Sequence, residues 1–356
     1  MRITAIKVEP LDLHLQTALT VAYGSYPELN YALLQIFTDD GFMGLGEASP
    51  DPEVTGETQT SVIAALQHIA VSLVGCDPFD IEYIIQLCLA EIPAQPAAMA
   101  AIDMALYDLM GQSLKTPVYQ LLGGKSRPGM RLYPVIPLDE PKVMAALSKN
   151  FVAMGLDILK IKLGSNPTTD LLRLREIRDA VGNSIKLRLD INQGWQDSAT
   201  AIQTIHALSS YNIEWIEQPV AAADLAGLAA VTAAVDIPIM ADESCHTPAD
   251  VFKIACLGAA NLINIKLMKC GGIYQAAKML AIAEAAGLSC ILGSMGESSI
   301  GSAAGLHFVI AKPAILACEL IGPLFVTNDP AGGYLVDMAT FQARPSDQPG
   351  LGVYLK

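Results

Sequence analysis

The feature that most constrains the fold is a short apolar, β-type run that recurs every 24 to 28 residues from residue 130 onward. Eight such runs begin near residues 130, 158, 185, 213, 237, 262, 289 and 315, and all but the last are followed by a helical segment. Eight evenly spaced βα units favour a TIM barrel over a doubly wound sheet, which is the structural alternative. We therefore predict an α/β protein built on a (β/α)₈ TIM-type barrel.

The residues outside these units predict an accessory part. Residues 1 to about 60 carry strand signals, including a hairpin with Asp40-Gly41 at its turn, and the ranges 61–75 and 97–113 are predicted helices. The stretch 319–356 contains Pro, Gly and short strands but no helix of useful length. We predict an α+β capping domain over 1–125, the barrel over 126–318, and a C-terminal segment, 319–356, that packs back on the cap and completes it.

Composition narrows the class of partner. The chain has 356 residues, of which 52% are hydrophobic and 16% charged, so a large core can form. A net charge of −14 disfavours nucleic-acid binding, which needs clustered Lys and Arg. The seven cysteines include no CxxC pair, the N-terminus alternates like a strand rather than a signal peptide, and the longest apolar stretch, 225–235, is too short to cross a bilayer. We expect a soluble cytoplasmic protein with no membrane partner.

Three acidic residues stand where consecutive predicted strands end. Asp190, Glu217 and Asp242 are separated by 27 and 25 residues, which is one βα unit each. Active sites of such barrels lie at the C-terminal ends of the strands, so the three carboxylates should converge. They would repel one another unless a cation joined them, and oxygen ligands without His or Cys favour Mg²⁺ over Zn²⁺. For any one of them alone, a solvated strand-end acid is an equally good interpretation.

Two lysines are predicted on opposite walls of the barrel. Lys162 ends the second strand and Lys266 the sixth, four strands apart. A substrate carboxylate bound to the metal would lie between them, with a base on each face of its α-carbon, as racemisation requires. Lys160 shares a strand face with Lys162, because side chains alternate with period two. Its charge, the metal and burial are expected to lower the pKa of Lys162, so that this lysine can act as a base.

Five motifs carry a family resemblance. They are Lys160-Ile161-Lys162, DINQGW with Asp190 and Asn192, IEQP with Glu217, ADES with Asp242 and Glu243, and NIKLMKCGG with Lys266. The chain resembles the enolase superfamily, in its muconate-lactonizing-enzyme subgroup, over its whole length. The resemblance implies a Mg²⁺-dependent isomerase that removes and returns the α-proton of a small-molecule carboxylate through an enediolate. It also implies that Asn192 and Glu243 support the metal ligands, and that the protein forms homo-oligomers.

The substrate is less constrained than the reaction. The segments AYGSY, GSMGESS and ELIGPL are most similar to racemases of N-succinyl amino acids with basic side chains, and next to dipeptide epimerases. Dipeptide epimerases usually carry Asp-x-Asp where this chain has Glu319-Leu320-Ile321, and those acting on Ala-Glu tend to have an Arg where Thr20 stands. A muconate cycloisomerase and an o-succinylbenzoate synthase-like lyase stay alternatives. A non-enzymatic binding protein is disfavoured by the intact set of ligands and bases.

Residues in three loops and at the last strand end are predicted to contact the substrate. The acidic ones could pair with a cationic side chain, although ordinary solvation of a loop explains any single one of them equally well. The predicted set is Thr20, Tyr23, Tyr26, Glu28, Asp51, Glu53, Ser294, Met295, Glu297, Glu319 and Ile321.

Overall fold

The N-terminal part of the chain, which we call the cap (residues 1–125), is an antiparallel sheet covered by helices. It is seen in a computed structural model that describes residues 1–356. The sheet has the order β1-β2-β3, and the turn between β2 and β3 contains Asp40 and Gly41, as predicted. The elements of the cap are β1 (Ile3–Val21), β2 (Gly24–Thr38), β3 (Met43–Ala48), α1 (Gln59–Leu73), α2 (Ile81–Glu91), α3 (Pro96–Ser113) and α4 (Val118–Leu121).

Eight parallel strands form the centre of the protein. Strands β5 to β12 are neighbours in consecutive order, and a parallel bridge between Leu132 and Cys318 joins the two edges of the sheet. The predicted TIM-type barrel is therefore confirmed. Its elements are β4 (Met130–Arg131), β5 (Val135–Ile136), α5 (Pro141–Ala153), β6 (Ile158–Lys162), α6 (Pro167–Val181), β7 (Lys186–Asp190), α7 (Ser198–Ala207), β8 (Ile213–Glu217), α8 (Leu225–Ala234), β9 (Ile239–Ala241), α9 (Pro248–Leu257), β10 (Leu262–Ile265), α10 (Leu267–Cys270), α11 (Ile273–Ala285), β11 (Ser289–Leu292), α12 (Ser299–Ala311) and β12 (Ile315–Cys318). None of the helices combines the length and apolar composition that crossing a bilayer requires.

The segment after β12 contains no α-helix, as expected. It holds a 3-10 turn (Gly322–Leu324) and the short strands β13 (Ala331–Gly332), β14 (Leu335–Asp337), β15 (Gln342–Arg344) and β16 (Tyr354–Leu355). Isolated bridges link Val326 to Leu15 and Gly350 to Pro117, so this segment contacts the cap. Strand β15 also pairs with β4. The division of the chain at residues 125 and 318 stays a proposal.

The first predicted barrel run, residues 130–136, is divided between two sheets. Met130 and Arg131 pair with β15, whereas Val135 and Ile136 pair with β6. Pro134 lies between the two pieces and has no N–H with which to continue a ladder, which accounts for the break.

Alternation along the strands places the polar residues of the site. Inside the barrel a small apolar cluster contains Trp215, Met240, Leu262 and Ala317. Because side chains alternate with period two, the residues two positions further along point the same way, at the carboxyl end of each strand. These residues are Glu217, Asp242, Asn264 and Glu319. The apolar cluster is therefore the floor of a polar layer.

Buried carboxylates of the cap bind backbone N–H groups elsewhere in the chain. Glu47 accepts from Ser298 N at 2.9 Å and Gly301 N at 3.1 Å, where α12 begins. Asp103 accepts from the first two residues of α11, Ile273 and Tyr274. Anionic groups are favourable at these positions because the first N–H groups of a helix lack intrahelical partners.

We expect Asp103→Ala to lower the free energy of unfolding by about 1–3 kcal/mol, because the first two N–H groups of α11, one buried and one partly buried, would lose their acceptor. Asp103 is fully buried. The matched control is Asp80→Ala: Asp80 precedes α2 but makes no capping hydrogen bond, so this change should stay within about 0.5 kcal/mol. Urea unfolding followed by circular dichroism measures both values. Equal midpoints for the two variants would contradict the anchoring role.

Candidate active site

A cavity of about 830 Å³ opens at the carboxyl ends of the barrel strands. The hairpin of β1 and β2 and the loop before α1 form its outer wall. Leu138 N donates to Thr20 O at 2.9 Å, and Gln16 N donates to Phe325 O at 2.8 Å, so the hairpin is attached both to the barrel and to the C-terminal segment. Lys160, Lys162, Lys266, Asn192 and Glu319 line the inner part of the cavity.

The two lysines of β6 share one carboxylate. Lys160 Nζ lies 3.0 Å and Lys162 Nζ 2.7 Å from Asp190 Oδ2, so both side chains point inward as predicted. Lys160 also contacts Glu217 Oε2 at 2.9 Å and Glu319 at 2.8 Å. This one ammonium group therefore connects acids from three strand ends, on β7, β8 and β12.

Asp242 is paired with lysines from the segment that follows β10. Lys266 Nζ lies 2.8 Å from Asp242 Oδ2. Lys269 Nζ donates to Asp242 Oδ1, to the carbonyl of Asp242 at 2.6 Å and to the carbonyl of Asn264 at 3.0 Å. Lys162 and Lys266 come from strands four apart in the sheet order and line the same cavity.

Two amide side chains fix the remaining acids. Asn264 Nδ2 donates to Glu217 Oε1 at 2.7 Å. Asn192 Oδ1 accepts from Lys162 at 3.1 Å, and its Nδ2 donates to Glu243 Oε1 at 2.9 Å. Asn192 has φ +43°, a backbone conformation that Asn tolerates better than most residues, and from it the side chain reaches both partners.

Burial and charge divide the pKa values of the acids. Burial alone would raise the pKa of Asp190, but Lys160 and Lys162 lower it to about 2. Burial alone would likewise raise the pKa of Asp242, but the charges of Lys266 and Lys269 prevail and hold it well below its usual range. Burial followed by the Asp190 charge raises the pKa of Glu217 well above its ordinary value, and burial with Asp242 raises that of Glu243 to about 7. The lysines therefore do not offset all of the buried negative charge.

The same acids raise the pKa values of two of the lysines. Burial alone would lower the pKa of Lys266, but Asp242, Glu217 and Glu243 raise it above its ordinary value. The pKa of Lys160 is likewise raised, because Asp190, Glu217 and Glu319 outweigh its burial. The neighbouring acids therefore favour the ammonium form of both lysines.

The acids have the chemistry of a hard-cation site. No three His, Cys, Asp or Glu side chains are already arranged as a metal-binding group, because the ammonium groups stand among them. The predicted ligands Asp190, Glu217 and Asp242 are fully buried and offer only oxygen, and Glu243 Oε2 is buried without a hydrogen-bond partner. Five acids stand around four lysines, so further positive charge fits this cluster.

Eight of the eleven predicted substrate contacts line the cavity. Tyr23 packs edge-on against Tyr26 with ring centroids 6.3 Å apart. Asp51 accepts from Glu53 N at 2.8 Å and Val54 N at 3.1 Å, so its carboxylate also stabilises its own loop. The eight are Tyr23, Tyr26, Glu28, Asp51, Ser294, Met295, Glu319 and Ile321.

The other three predicted contacts are not among the residues that line the cavity. Thr20 Oγ1 lies 2.9 Å from Ser25 Oγ, so the two hydroxyl groups are hydrogen-bonded to each other across the hairpin. Glu53 is exposed in the turn that Asp51 caps. Glu297 is buried beneath its loop, where it accepts from the Ser294 hydroxyl and from Met295 N at 2.9 Å. Glu297 shapes the loop that carries two cavity residues rather than facing the cavity itself.

Two polar residues of this layer were not predicted. Asn264 and Lys269 belong to the same NIKLMK segment as Lys266. Asn264 lies on β10 two positions before Lys266, which directly follows the strand, so the period of two could have identified it. Lys269 lies in α10, outside the strand, and its role follows only from the turn that begins at Lys266.

We expect Lys269→Met to lower the free energy of unfolding by about 3 kcal/mol, because a buried carboxylate and two carbonyls would lose their donor. Lys269 is 1% exposed. Lys278→Met serves as the control, since Lys278 is partly exposed and makes only weak contacts, an ion pair with Glu82 at 3.6 Å and a cation–π contact with Tyr274 at 4.2 Å, each contributing about 0–1 kcal/mol at such a site. Chemical unfolding of both variants tests the difference. A similar small loss in both would contradict a structural role for the Lys269 ammonium group.

Comparison with protein families agrees with this arrangement. Residues 143–356 match the model for the enolase C-terminal domain-like family, and residues 3–123 match that for the mandelate racemase/muconate lactonizing enzyme N-terminal domain. The chain belongs to the enolase superfamily. Within it, the chain belongs to the muconate-lactonizing-enzyme subgroup, as the sequence motifs predicted.

Individual relatives in the superfamily match along nearly the whole chain. An N-succinyl-L-Arg/Lys racemase of Bacillus cereus is 39% identical over 99% of this chain and 95% of its own length, and its crystal structure has a TM-score of 0.97 at 38% identity, covering 100% of this chain and 96% of that one. A dipeptide epimerase of Enterococcus faecalis, crystallised with Mg and L-Leu-L-Tyr, has a TM-score of 0.95 at 39% identity over 99% of both chains.

A third relative is an L-Lys-D/L-Arg epimerase of Methylococcus capsulatus, 37% identical over 99% of both chains. A dipeptide epimerase of that organism, crystallised with Mg and L-Arg-D-Lys, has a TM-score of 0.92 at 35% identity over 99% of both chains. These relatives are named racemases and epimerases, and this enolase-superfamily chain is an isomerase of the same kind.

Proposed function

We propose that the protein is a Mg²⁺-dependent racemase of N-acylated amino acids with basic side chains, with the N-succinyl derivatives of arginine and lysine as the first compounds to test. The observation that carries the proposal is the placement of Lys162 and Lys266. They rise from opposite walls of the barrel, line one cavity and flank three buried carboxylates.

The two lysines account for the movement of the proton. A substrate whose carboxylate lies at the ends of β7, β8 and β9 has its α-carbon between Lys162 and Lys266. The uncharged amine of one lysine removes the α-proton, and the electron pair of the C–H bond moves into the carboxylate to give an enediolate. The ammonium group of the other lysine returns a proton on the opposite face. Turnover therefore requires Lys162 to leave Asp190 and Lys266 to leave Asp242, their partners in the structure.

Asp190, Glu217 and Asp242 are the residues that would hold the cation, with Asn192 and Glu243 supporting them. When bound there, a divalent cation would supply the positive charge that stabilises the second negative charge on the substrate carboxylate. Two relatives were crystallised in complex with Mg and a dipeptide, which supports this choice of ion.

The outer cavity supports a basic side chain. Asp12, Glu28 and Asp51 line it, and Lys160, Lys162 and Lys266 are the only cationic residues in its wall. Glu28 is exposed, and His14, at 4.0 Å, is the one basic side chain that approaches its carboxylate, so this carboxylate is available to a ligand. The names of the Bacillus cereus and Methylococcus capsulatus relatives also specify basic residues.

The test is exchange of the substrate α-proton with deuterium in D₂O, together with polarimetry. The compounds are N-succinyl-Arg, N-succinyl-Phe, L-Ala-L-Glu and L-Ala-L-Lys. A hydrogen bond to a charged group contributes roughly 1.5–3 kcal/mol, so the Arg compound should exceed the Phe compound by about tenfold to a hundredfold in kcat/KM. Glu28→Gln should remove much of that preference.

Glu9→Gln is the matched control, because Glu9 lies on the same strand pair but pairs with Lys7 outside the cavity. It changes the net charge equally and should leave the preference unchanged. Faster turnover of a dipeptide than of both succinyl compounds would overturn the acyl assignment. Equal rates for the Arg and Phe compounds would contradict the proposed preference for a basic side chain but leave the acyl assignment in place.

A further inference from the structure

The order of the barrel strands determines which wall faces the non-carboxylate part of a substrate. Asp190, Glu217 and Asp242 end β7, β8 and β9. In the closed eight-strand order, the strands opposite these three are β11, β12 and β5. If the proposed function holds and the substrate carboxylate lies at the acids, a substituent of the α-carbon must point toward β11, β12 and β5 or toward the cap.

The wall at β12 and β5 is apolar. Val135 and Pro137 come from the end of β5 and the loop after it, Leu147 and Phe151 come from α5, and Ile321 and Phe325 follow β12. No α-helix follows β12, and the chain continues into the 3-10 turn instead. These six residues, which we call the apolar wall, line the same cavity as Lys162 and Lys266.

The apolar wall offers no partner for a second charge on the substrate. Its one neighbouring acid, Glu319, already has Lys160 Nζ at 2.8 Å from both of its carboxylate oxygens. The only cationic side chains that line the cavity are Lys160, Lys162 and Lys266, and each is paired with a strand-end acid. The polar outer wall differs, because it carries Asp12, Glu28 and Asp51.

We infer that the apolar wall binds the N-acyl group of the substrate and selects an uncharged, apolar one, while the basic side chain extends to the acids of the cap. A succinyl group would bring a second carboxylate to a wall without a free cation. An aminoacyl group would bring an ammonium there without a free anion. An unpaired charge is costly to bury, whereas an alkyl chain gains from burial.

The experiment compares three arginine derivatives of similar size: N-pentanoyl-L-Arg, N-succinyl-L-Arg and L-Ala-L-Arg. Pentanoyl places an ethyl group where succinyl has its carboxylate. We expect kcat/KM for α-proton exchange to be about tenfold higher for the pentanoyl compound than for either charged one, which corresponds to about 1.4 kcal/mol. Phe325→Leu keeps the wall apolar and should preserve this ratio within about threefold.

Phe325→Arg adds a cation to the apolar wall and should reverse the order of the succinyl and pentanoyl compounds. If wild type uses the succinyl or the dipeptide compound as well as the pentanoyl one, the inference is wrong while the proposed racemase function stands. If none of the three exchanges its α-proton, both are wrong. Should Phe325→Arg fail to fold, the wild-type ratio together with that of Phe325→Leu decides the matter.

Discussion

Replacing either Lys162 or Lys266 by alanine should lower racemisation by about a thousandfold, because one face of the α-carbon would lose its general acid–base group. The two residues reach one cavity from strands on opposite sides of the barrel. Each variant keeps one base, so each should still exchange the α-proton of one enantiomer, and the two variants should prefer opposite enantiomers. Proton NMR in D₂O on the separate enantiomers of an N-acyl arginine measures this.

The control for the lysine variants is Lys253→Ala, which removes an exposed lysine of α9 and should leave both exchange rates unchanged. Near-wild-type racemisation by either active-site variant would show that two bases are not needed. Exchange that depends on one lysine alone, for both enantiomers, would favour a lyase-type role in which the second lysine only binds charge.

Removal of the cation should abolish activity, and Mg²⁺ should restore it. A direct binding readout is thermal stability: at a concentration of Mg²⁺ a hundred times its Kd, the folded state should gain about 2.7 kcal/mol. Asp190→Asn should lose this gain, because it removes one of the three proposed anionic ligands. Asp190 is fully buried, and in the structure its carboxylate contacts Lys160 and Lys162. Differential scanning calorimetry with and without Mg²⁺ gives the comparison.

Asp179→Asn provides the control for charge, since Asp179 is exposed on α6 and should leave the Mg²⁺ effect intact. An equal stabilisation by Mg²⁺ of wild type and Asp190→Asn would place the ion elsewhere. Full activity in excess chelator would show that the reaction needs no divalent cation.

The sequence predicts the fold and the strand-end residues of the candidate site for the same reason, which is the regular spacing of the βα units. Strand ends recur at a fixed spacing, so Asp190, Glu217 and Asp242 could be assigned to one face of the barrel before any contact was known. Period-two alternation likewise predicted that Lys160 and Lys162 share a face, and both reach Asp190 Oδ2. Such regularities are local, and they hold wherever the chain repeats a unit.

Loop contacts could not be predicted in this way. Thr20, Glu53 and Glu297 lie next to cavity residues in the sequence, yet the side chains of Thr20 and Glu297 are hydrogen-bonded within their own loops, and Glu53 is exposed in the turn that Asp51 caps. Which residue of a loop faces a cavity depends on the turn that the loop forms and on what it packs against. Lys269 was missed for a related reason, because its position follows from a helical turn rather than from the strand period.

The anchors of the cap and its cavity-facing residues are different positions, and this separation bears on how substrate range can diverge. Glu47 and Asp103 hold α12 and α11, whereas Tyr23, Tyr26 and Glu28 face the cavity from the hairpin. Substitutions in the hairpin tip can therefore alter selectivity without loosening the attachment of the cap. A directed-evolution library confined to that tip and to the loop before α1 would explore new substrates while sparing the proton-transfer machinery and the scaffold that holds it.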